Sequence, residues 1–574
     1  MLSDNFPVHW LEEIIEKILA RKEPIITLAT GKTPSGYIHL GILREIIICD
    51  SIRRILEKKG KMVKFYLFID SLDAAKRFPD YIEEDFQKNH IGKPFSYIPC
   101  PFKESKCDSY AHHFGNDLTS TLVDFGIKTE IIWSHELYKT KEMQEKIKIA
   151  LENTKKIKKI IKKYILPTLD DEKKDTFIEM QKNWIPVMVI CERCNKIQYL
   201  EEDGSIKPNR VINYFKDEIK VSYVCSACNH YGKLSIYSGR LKLNWRVDWP
   251  AKWAIYKTTC EPAGKDHSVK GGAYDTGIEL CQEVYNFIGP VKVAYEWLRL
   301  GDRDMKTSKG IVFTPKKYLE LATPEVFRTI ILRTNPTKHI AFRIEEIPQY
   351  YDYYDRMEDI YFSELKGEKE ENKNLRYIFP LTQIRKISNK RTTRIPFNLL
   401  IFLSQIQNIL SIEQLYEKAK DATQIENFEN GISLVQFRKL ISQTTNWITT
   451  IKGTIENEHD EKVKREMLRK INIFTIPEKF DSEILSRLNE NQKKGIDLLR
   501  KYLIENDPLD PDLIQNKIFT IAKNDLNIPP RKLFETIYKI ILGKKFGPRL
   551  GSFLSLLDKN WLLERLNIEN IEML

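Results

Sequence analysis

Two short segments, about 270 residues apart, carry the side chains best suited to handling a nucleotide. The first is Pro34-Ser35-Gly36-Tyr37-Ile38-His39-Leu40-Gly41. Small residues here let a nucleotide approach the backbone, and His39 can hydrogen-bond phosphate oxygens as charge builds during attack on an α-phosphate. A helix starting just beyond would add free N–H groups and the positive end of its dipole. The second is Met305-Lys306-Thr307-Ser308-Lys309-Gly310. A lysine-rich loop can lay ammonium groups on a triphosphate and stabilise the departing pyrophosphate. Each segment alone has an ordinary alternative, because H-x-G tripeptides are common and loop lysines are usually just solvated.

Four of the nine cysteines form two C-x-x-C pairs, Cys191/Cys194 and Cys225/Cys228. Four thiolates suit a tetrahedral structural zinc, which would hold together a small insertion lacking a core of its own. The N-terminus has no basic region followed by a hydrophobic stretch, and no apolar run approaches the roughly 18 residues that cross a bilayer. A cytoplasmic protein without a membrane span is therefore expected, and there paired cysteines point to metal rather than to disulfides. Cys100, Cys107, His112 and His113 form a second group. Cys49 and Cys281 fall on apolar helical faces and read as core; Cys260 is left open.

The elements that must position these groups follow from periodicity. Residues 11–21 have helical spacing, and Ile25 to Ala29 form a short buried-strand pattern leading into Thr30-Gly31-Lys32-Thr33. Ile42, Leu43, Ile46, Ile47, Ile52, Ile55 and Leu56 then repeat at three and four, with Gly60 as the stop, and Val63 to Ile69 predicts a second strand ending at Asp70-Ser71-Leu72-Asp73. Strand, loop, helix, strand is the βαβ pattern of a doubly wound parallel sheet, whose ligands bind beyond the carboxyl ends of the strands. Residues 139–166 predict one basic amphipathic helix, and 184–240 an insertion of short strands with a turn at Asp203-Gly204. Beyond about 325 the patterns are helical, broken by prolines. At 574 residues the chain needs two or three domains. Its net charge of +12 fits either an anionic partner such as a nucleic acid or plain solvated lysine faces.

Together the two nucleotide segments resemble the paired signature of class I aminoacyl-tRNA synthetases, HIGH and KMSKS in one-letter code. Further stretches resemble the lysine-specific branch: Trp245 to Trp253, Gly264-Lys265-Asp266-His267, Gly271-Gly272, Tyr295-Glu296, Pro324 to Arg328, Ser109-Tyr110-Ala111 with His113-Phe114, and Glu136-Leu137-Tyr138. They span roughly residues 25–360 in the family's order.

The resemblance implies an α/β Rossmann-type catalytic domain over residues 1–325, interrupted by the zinc-binding insertion, then an all-α anticodon-binding domain over 326–574. It implies that lysine is activated with Mg·ATP to lysyl-adenylate and passed to the terminal adenosine of tRNA(Lys). Gly31, Thr33, Trp245, His267 and Tyr295 would form the lysine pocket. His39, Gly41, Lys306 and Lys309 would serve the reacting phosphates, with Pro34, Ser35, Asp266, Gly271, Gly272 and Ser308 holding the rest of ATP. It also implies a second metal in the region of Cys100, Cys107 and His113, with Asp108 as a further candidate ligand. Two positions depart from the pattern: Ile42 stands where the family has Asn or His, and Asp304 where it has the first lysine of its loop. Other class I specificities, chiefly glutamate, a non-catalytic tRNA-binding paralogue and a nucleotidylyltransferase are the alternatives.

Overall fold

The computed structural model describes residues 9–305, 307, 312–363, 369–389, 391, 394–423, 431–457, 460–462, 464, 467, 471, 473–477 and 488–567. Along the chain the strands are β1 (Ile25–Lys32), β2 (Met62–Ile69), β3 (Glu130–Trp133), β4 (Val187–Val189), β5 (Gln198–Leu200), β6 (Ile206–Pro208), β7 (Arg210–Phe215), β8 (Lys220–Val224), β9 (Tyr231–Ser235), β10 (Leu241–Leu243), β11 (Cys260–Gly264), β12 (Val291–Tyr295), β13 (Leu298–Leu300) and β14 (Ile340–Phe342). The central sheet has the order β12-β11-β1-β2-β3, and every pairing in it is parallel. Chain direction along the sheet reverses beside β1. The carboxyl ends of β1 and β11 are therefore the switch point at which open α/β sheets bind ligands.

β1 is apolar on both sides because helices cover both. Thr30 and Lys32 face helix α2 (Leu43–Lys58), whereas Ala29 and Gly31 face the layer containing Phe68 and the helix Trp245–Tyr256. α2 begins where the sequence pattern places it and stops at Gly60, whose φ of +73° suits glycine.

The 139–166 stretch is not one helix. It breaks at Asn153 into Lys141–Glu152 and Thr154–Ile165. Asn153 Nδ2 bonds back to the Ile149 carbonyl and Thr154 Oγ1 to that of Leu151, at 2.9 and 2.7 Å, in competition with the backbone ladder. The break redirects the apolar stripe, so that Ile157, Ile160 and Ile161 are buried beside Met143, Ile147 and Leu151.

The cysteine-bearing insertion opens and closes on the antiparallel pair β4–β10, with Val187 opposite Leu243. Inside it lie the hairpin β5–β6, turning at Gly204, and the meander β7-β8-β9. Cys49, Cys260 and Cys281 are all buried.

The chain forms two compact units, one of residues 1–319, 323–343 and 356–387, the other of 320–322, 344–355 and 388–574. In the first, Arg328 on the helix Pro324–Arg333 reaches Asp50 on α2 at 2.8 Å, both fully buried. Arg53 and Arg54 meet the same carboxylate, and together the three guanidinium groups hold it below the usual range against its burial. The second unit is helical throughout its described residues. Its longest helix, Leu434–Glu456, starts with a reciprocal Ser433/Gln436 cap and buries Trp447, and Glu490–Glu505 starts with an equivalent Asn489/Gln492 cap.

Candidate active site

The loop leaving β1 is tightly held. Tyr110 donates its hydroxyl to the Ser35 carbonyl at 3.0 Å, and the Tyr37 N–H donates to the Tyr81 hydroxyl at 2.9 Å. The peptide N–H of Gly41 donates to His39 Nδ1 at 3.1 Å. A Cβ on Gly41 would lie 2.8 Å from that nitrogen, so only glycine lets the ring fold back onto its own turn. Burial, reinforced by the positive charge of Lys32, pushes the His39 pKa down to about 3. With Nδ1 accepting from Gly41, the neutral ring carries its proton on Nε2, a donor suited to a phosphate oxygen.

The same loop meets Thr307, within the lysine-rich segment, and Phe313, just beyond it. A Cβ on Gly36 would come within 3.1 Å of the Thr307 carbonyl, and the Leu40 N–H donates to the Phe313 carbonyl at 2.7 Å. Lys306, Ser308 and Lys309 themselves lie outside the described residues. Of the departing positions, Ile42 is buried in the turn before α2 and offers no polar atom, while Asp304 pairs with Arg299 at 2.8 Å.

Beyond β11, the short helix Lys265–Ser268 carries Asp266 and His267, and Gly271 and Gly272 precede the helix Ala273–Tyr285. A Cβ on Gly272 would stand 2.8 Å from the Val269 carbonyl, so this turn too requires glycine. The His267 ring lies 5.7 Å from Trp245 and 5.8 Å from Trp249, and the Trp245 face is nearly half exposed at the start of its helix. At the end of β12, Tyr295 donates its hydroxyl to Glu45 of α2; burial raises the pKa of both groups. Thr33 donates to Asp73 at 2.6 Å, and Gly31 abuts Asp70. Gly31, Thr33, Pro34, Ser35, His39, Gly41, Asp266, His267 and Tyr295 thus all sit at or just beyond the carboxyl ends of β1, β11 and β12.

Several participants were not singled out as site residues from the sequence. Asp70 and Asp73 were visible only as the end of a strand, and Lys252 only inside a family stretch. Arg44 donates to the carbonyls of Glu296, Asn335, Pro336 and Lys338, and so fastens α2 to the loops after β12.

A family model described as "tRNA synthetases class I (K)" matches residues 8–385. The lysine–tRNA ligase of Methanocaldococcus jannaschii is 34% identical over 98% of this chain and 100% of its own length. Those of Methanococcus maripaludis and Archaeoglobus fulgidus are each 31% identical, over 98% and 97% of this chain and 100% and 99% of theirs. The chain belongs to the class I (K) tRNA synthetases. A solved glutamate tRNA ligase from Elizabethkingia meningosepticum aligns with this synthetase over 96% of the chain and 100% of its own, at 12% identity and a TM-score of 0.39, too distant a likeness to bear on specificity.

The four thiols of Cys191, Cys194, Cys225 and Cys228 lie within 4.8 Å of one another, with Cys191–Cys228 and Cys194–Cys225 sulfur separations of 3.7 and 3.6 Å. A tetrahedral ion with sulfur ligands at about 2.3 Å sets its sulfurs about 3.8 Å apart, so the donor set fits zinc. Each pair sits in the same turn: Cys191 N bonds Lys196 O and Cys225 N bonds His230 O, with Asn195 and Asn229 at φ +60° and +55°. Among the described residues this is the one group of three or more His, Cys, Asp or Glu drawn together closely enough for a metal. Cys100, Cys107 and His113 do not form a second. His113 Nδ1 faces Ser105 Oγ at 2.9 Å, and Cys107 Sγ accepts from Asn116 at 3.8 Å.

Proposed function

We propose that this synthetase is a lysine–tRNA ligase, joining lysine to ATP as lysyl-adenylate and then to the terminal adenosine of tRNA(Lys) in translation. The carrying observation is the meeting of the His39 loop with Thr307 and Phe313 at the strand ends. It brings the chain on either side of His39 up to Thr307 and Phe313, as a shared phosphate site would need. The full-length likeness to lysine–tRNA ligases supports the choice of amino acid.

In the first step a lysine carboxylate oxygen attacks the α-phosphorus of Mg·ATP, and the bond to pyrophosphate breaks. His39 Nε2–H steadies the charge on the α-phosphate, and Lys306 and Lys309 take the pyrophosphate. Asp266, Gly271 and Gly272 receive the adenosine, with Pro34, Ser35 and Ser308 along the nucleotide. Gly31, Thr33, Trp245, His267 and Tyr295 line the lysine pocket. In the second step a ribose hydroxyl of the tRNA attacks the mixed anhydride and AMP leaves. Every protein role is positioning and electrostatic, and no covalent nucleophile is required. The Cys191/Cys194/Cys225/Cys228 set holds structural zinc, which keeps the insertion folded, and the helical second unit reads the anticodon. The enzyme works in the cytoplasm; no helix of the described residues is long and apolar enough to cross a membrane.

The test is charging of tRNA(Lys) with labelled lysine by wild type, His39→Ala and Lys309→Ala. Lysine-dependent charging that falls at least 100-fold in both variants is expected. Charging with glutamate but not lysine, or tRNA binding without any adenylate, overturns the reading.

A further inference from the structure

At the carboxyl ends of β1 and β2 three carboxylates face two ammonium groups. Lys252 reaches Asp70 Oδ1 at 2.5 Å and Asp248 Oδ2 at 2.8 Å, and Lys242 reaches Asp73 Oδ1 at 3.0 Å. Tyr138 donates to the other Asp248 oxygen at 2.6 Å and Thr33 to the other Asp73 oxygen at 2.6 Å. One negative charge is left over, and a buried charge without a partner is costly.

The geometry says where that charge is presented. The side chains of Lys242, Lys252 and Asp248 are 6, 5 and 8% exposed, whereas those of Asp70 and Asp73 are 25 and 33% exposed, so the hydrogen bonds decide between the two. Asp70 Oδ2 has no hydrogen-bond partner among the described residues, while each oxygen of Asp73 and Asp248 has one. This free oxygen faces the one position on β1 without a side chain: a Cβ on Gly31 would lie 3.6 Å from Asp70 Oδ2 and 3.4 Å from Phe68 Cβ. Any larger residue there would cover the carboxylate. The lysines behind the network cannot turn to neutralise it, since each already spans its own partners.

We propose that Asp70, uncovered by Gly31 and held by Lys252, is the counter-ion for the side-chain ammonium of the amino-acid substrate, and so sets the preference for lysine over an uncharged or acidic side chain. The proposal rests on the lysine–tRNA ligase reading and names the residue that enforces it. Burial, together with the neighbouring negative charges of Asp73 and Asp248, raises the pKa of Asp70 despite its contact with Lys252. Thr33 and Lys242 occupy both oxygens of Asp73, leaving Asp70 as the member of the pair with an oxygen to offer.

The experiment compares kcat/KM for charging tRNA(Lys) with lysine and with norleucine, which keeps the four-carbon chain but lacks the ammonium group. It uses full-length wild type, Asp70→Asn and Asp70→Glu. Asp70→Asn is expected to lower the lysine-to-norleucine ratio by about 100-fold or more, because norleucine no longer strands a buried charge. Asp70→Glu keeps the charge one methylene away and is expected to raise the KM for lysine while holding the ratio within about tenfold of wild type. A purely structural role would depress both substrates together. An Asp70→Asn enzyme that keeps the wild-type ratio overturns the proposal. If that variant does not fold, an Asp70→Glu enzyme that loses the preference overturns it, and one that keeps it supports it. Failure of wild type to charge lysine at all would instead overturn the underlying ligase reading.

Discussion

The backbone N–H of Leu40 donates to the carbonyl of Phe313 at 2.7 Å, tying the residue after His39 to the far side of the lysine-rich segment. A side-chain substitution cannot remove this bond. The turn that carries His39 and the residue Phe313 are therefore held together, although about 270 residues separate them.

Gly41→Ala tests how finely the histidine is set. The new methyl would sit 2.8 Å from His39 Nδ1, and the ring must swing away. Displacement by about 1 Å at a reacting centre costs roughly 100-fold. The expected outcome is a fall of that size in kcat, with the KM for lysine and the melting temperature little changed. Steady-state charging kinetics and a thermal scan check it.

The depressed pKa of His39 has a signed consequence. Between about pH 3 and 6.5 the unfolded chain binds a proton at this ring and the folded chain does not. By linkage, stability falls as pH drops through that window, and His39 adds nothing to the pH dependence above 6.5. Urea unfolding from pH 4 to 8 should give a shallower acid-side slope for His39→Gln than for wild type. Equal slopes would place the wild-type ring in solvent.

The Asp50–Arg328 pair is fully buried. Arg328→Met leaves a carboxylate that Arg53 and Arg54 only partly satisfy. The expected loss is about 3 kcal/mol, the low end for breaking a buried pair. Adding Asp50→Asn should restore part of it, which a double-mutant cycle by chemical unfolding would read.

Removal of zinc should act locally. Cys225→Ser, or treatment with a strong chelator, is expected to abolish bound zinc and expose the segment from Val187 to Leu243 to protease, while the sheet around β1 stays protected. Zinc analysis and hydrogen exchange would report this. Unchanged protection of the insertion would mean that it folds without metal.

Much of the fold was readable because it is local. The buried-strand pattern from Ile25 to Ala29, the three-and-four spacing of α2 and the stop at Gly60 all lie within a few residues of what causes them. The two C-x-x-C turns were readable for the same reason. The break at Asn153 was missed because the apolar period carries on across it, and only the side-chain bonds of Asn153 and Thr154 show that the ladder is interrupted. Candidate site residues came from short motifs and family likeness. The charges around them did not, because Asp70 and Lys252 are 182 residues apart and neither looks unusual in its own strand or helix. Arg44 has the same history: its partners lie 252 to 294 residues away and are backbone carbonyls, which carry no sequence signal.

A crystal structure of the synthetase with a non-hydrolysable lysyl-adenylate analogue, such as the sulfamoyl ester, tests the central claim most directly. His39 Nε2 should lie within hydrogen-bond reach of the sulfamoyl group, the adenosine near Asp266 and Gly272, and the side-chain ammonium beside Asp70 over Gly31. An analogue bound away from the carboxyl ends of β1 and β11, or one with its sulfamoyl group out of reach of His39, would contradict it.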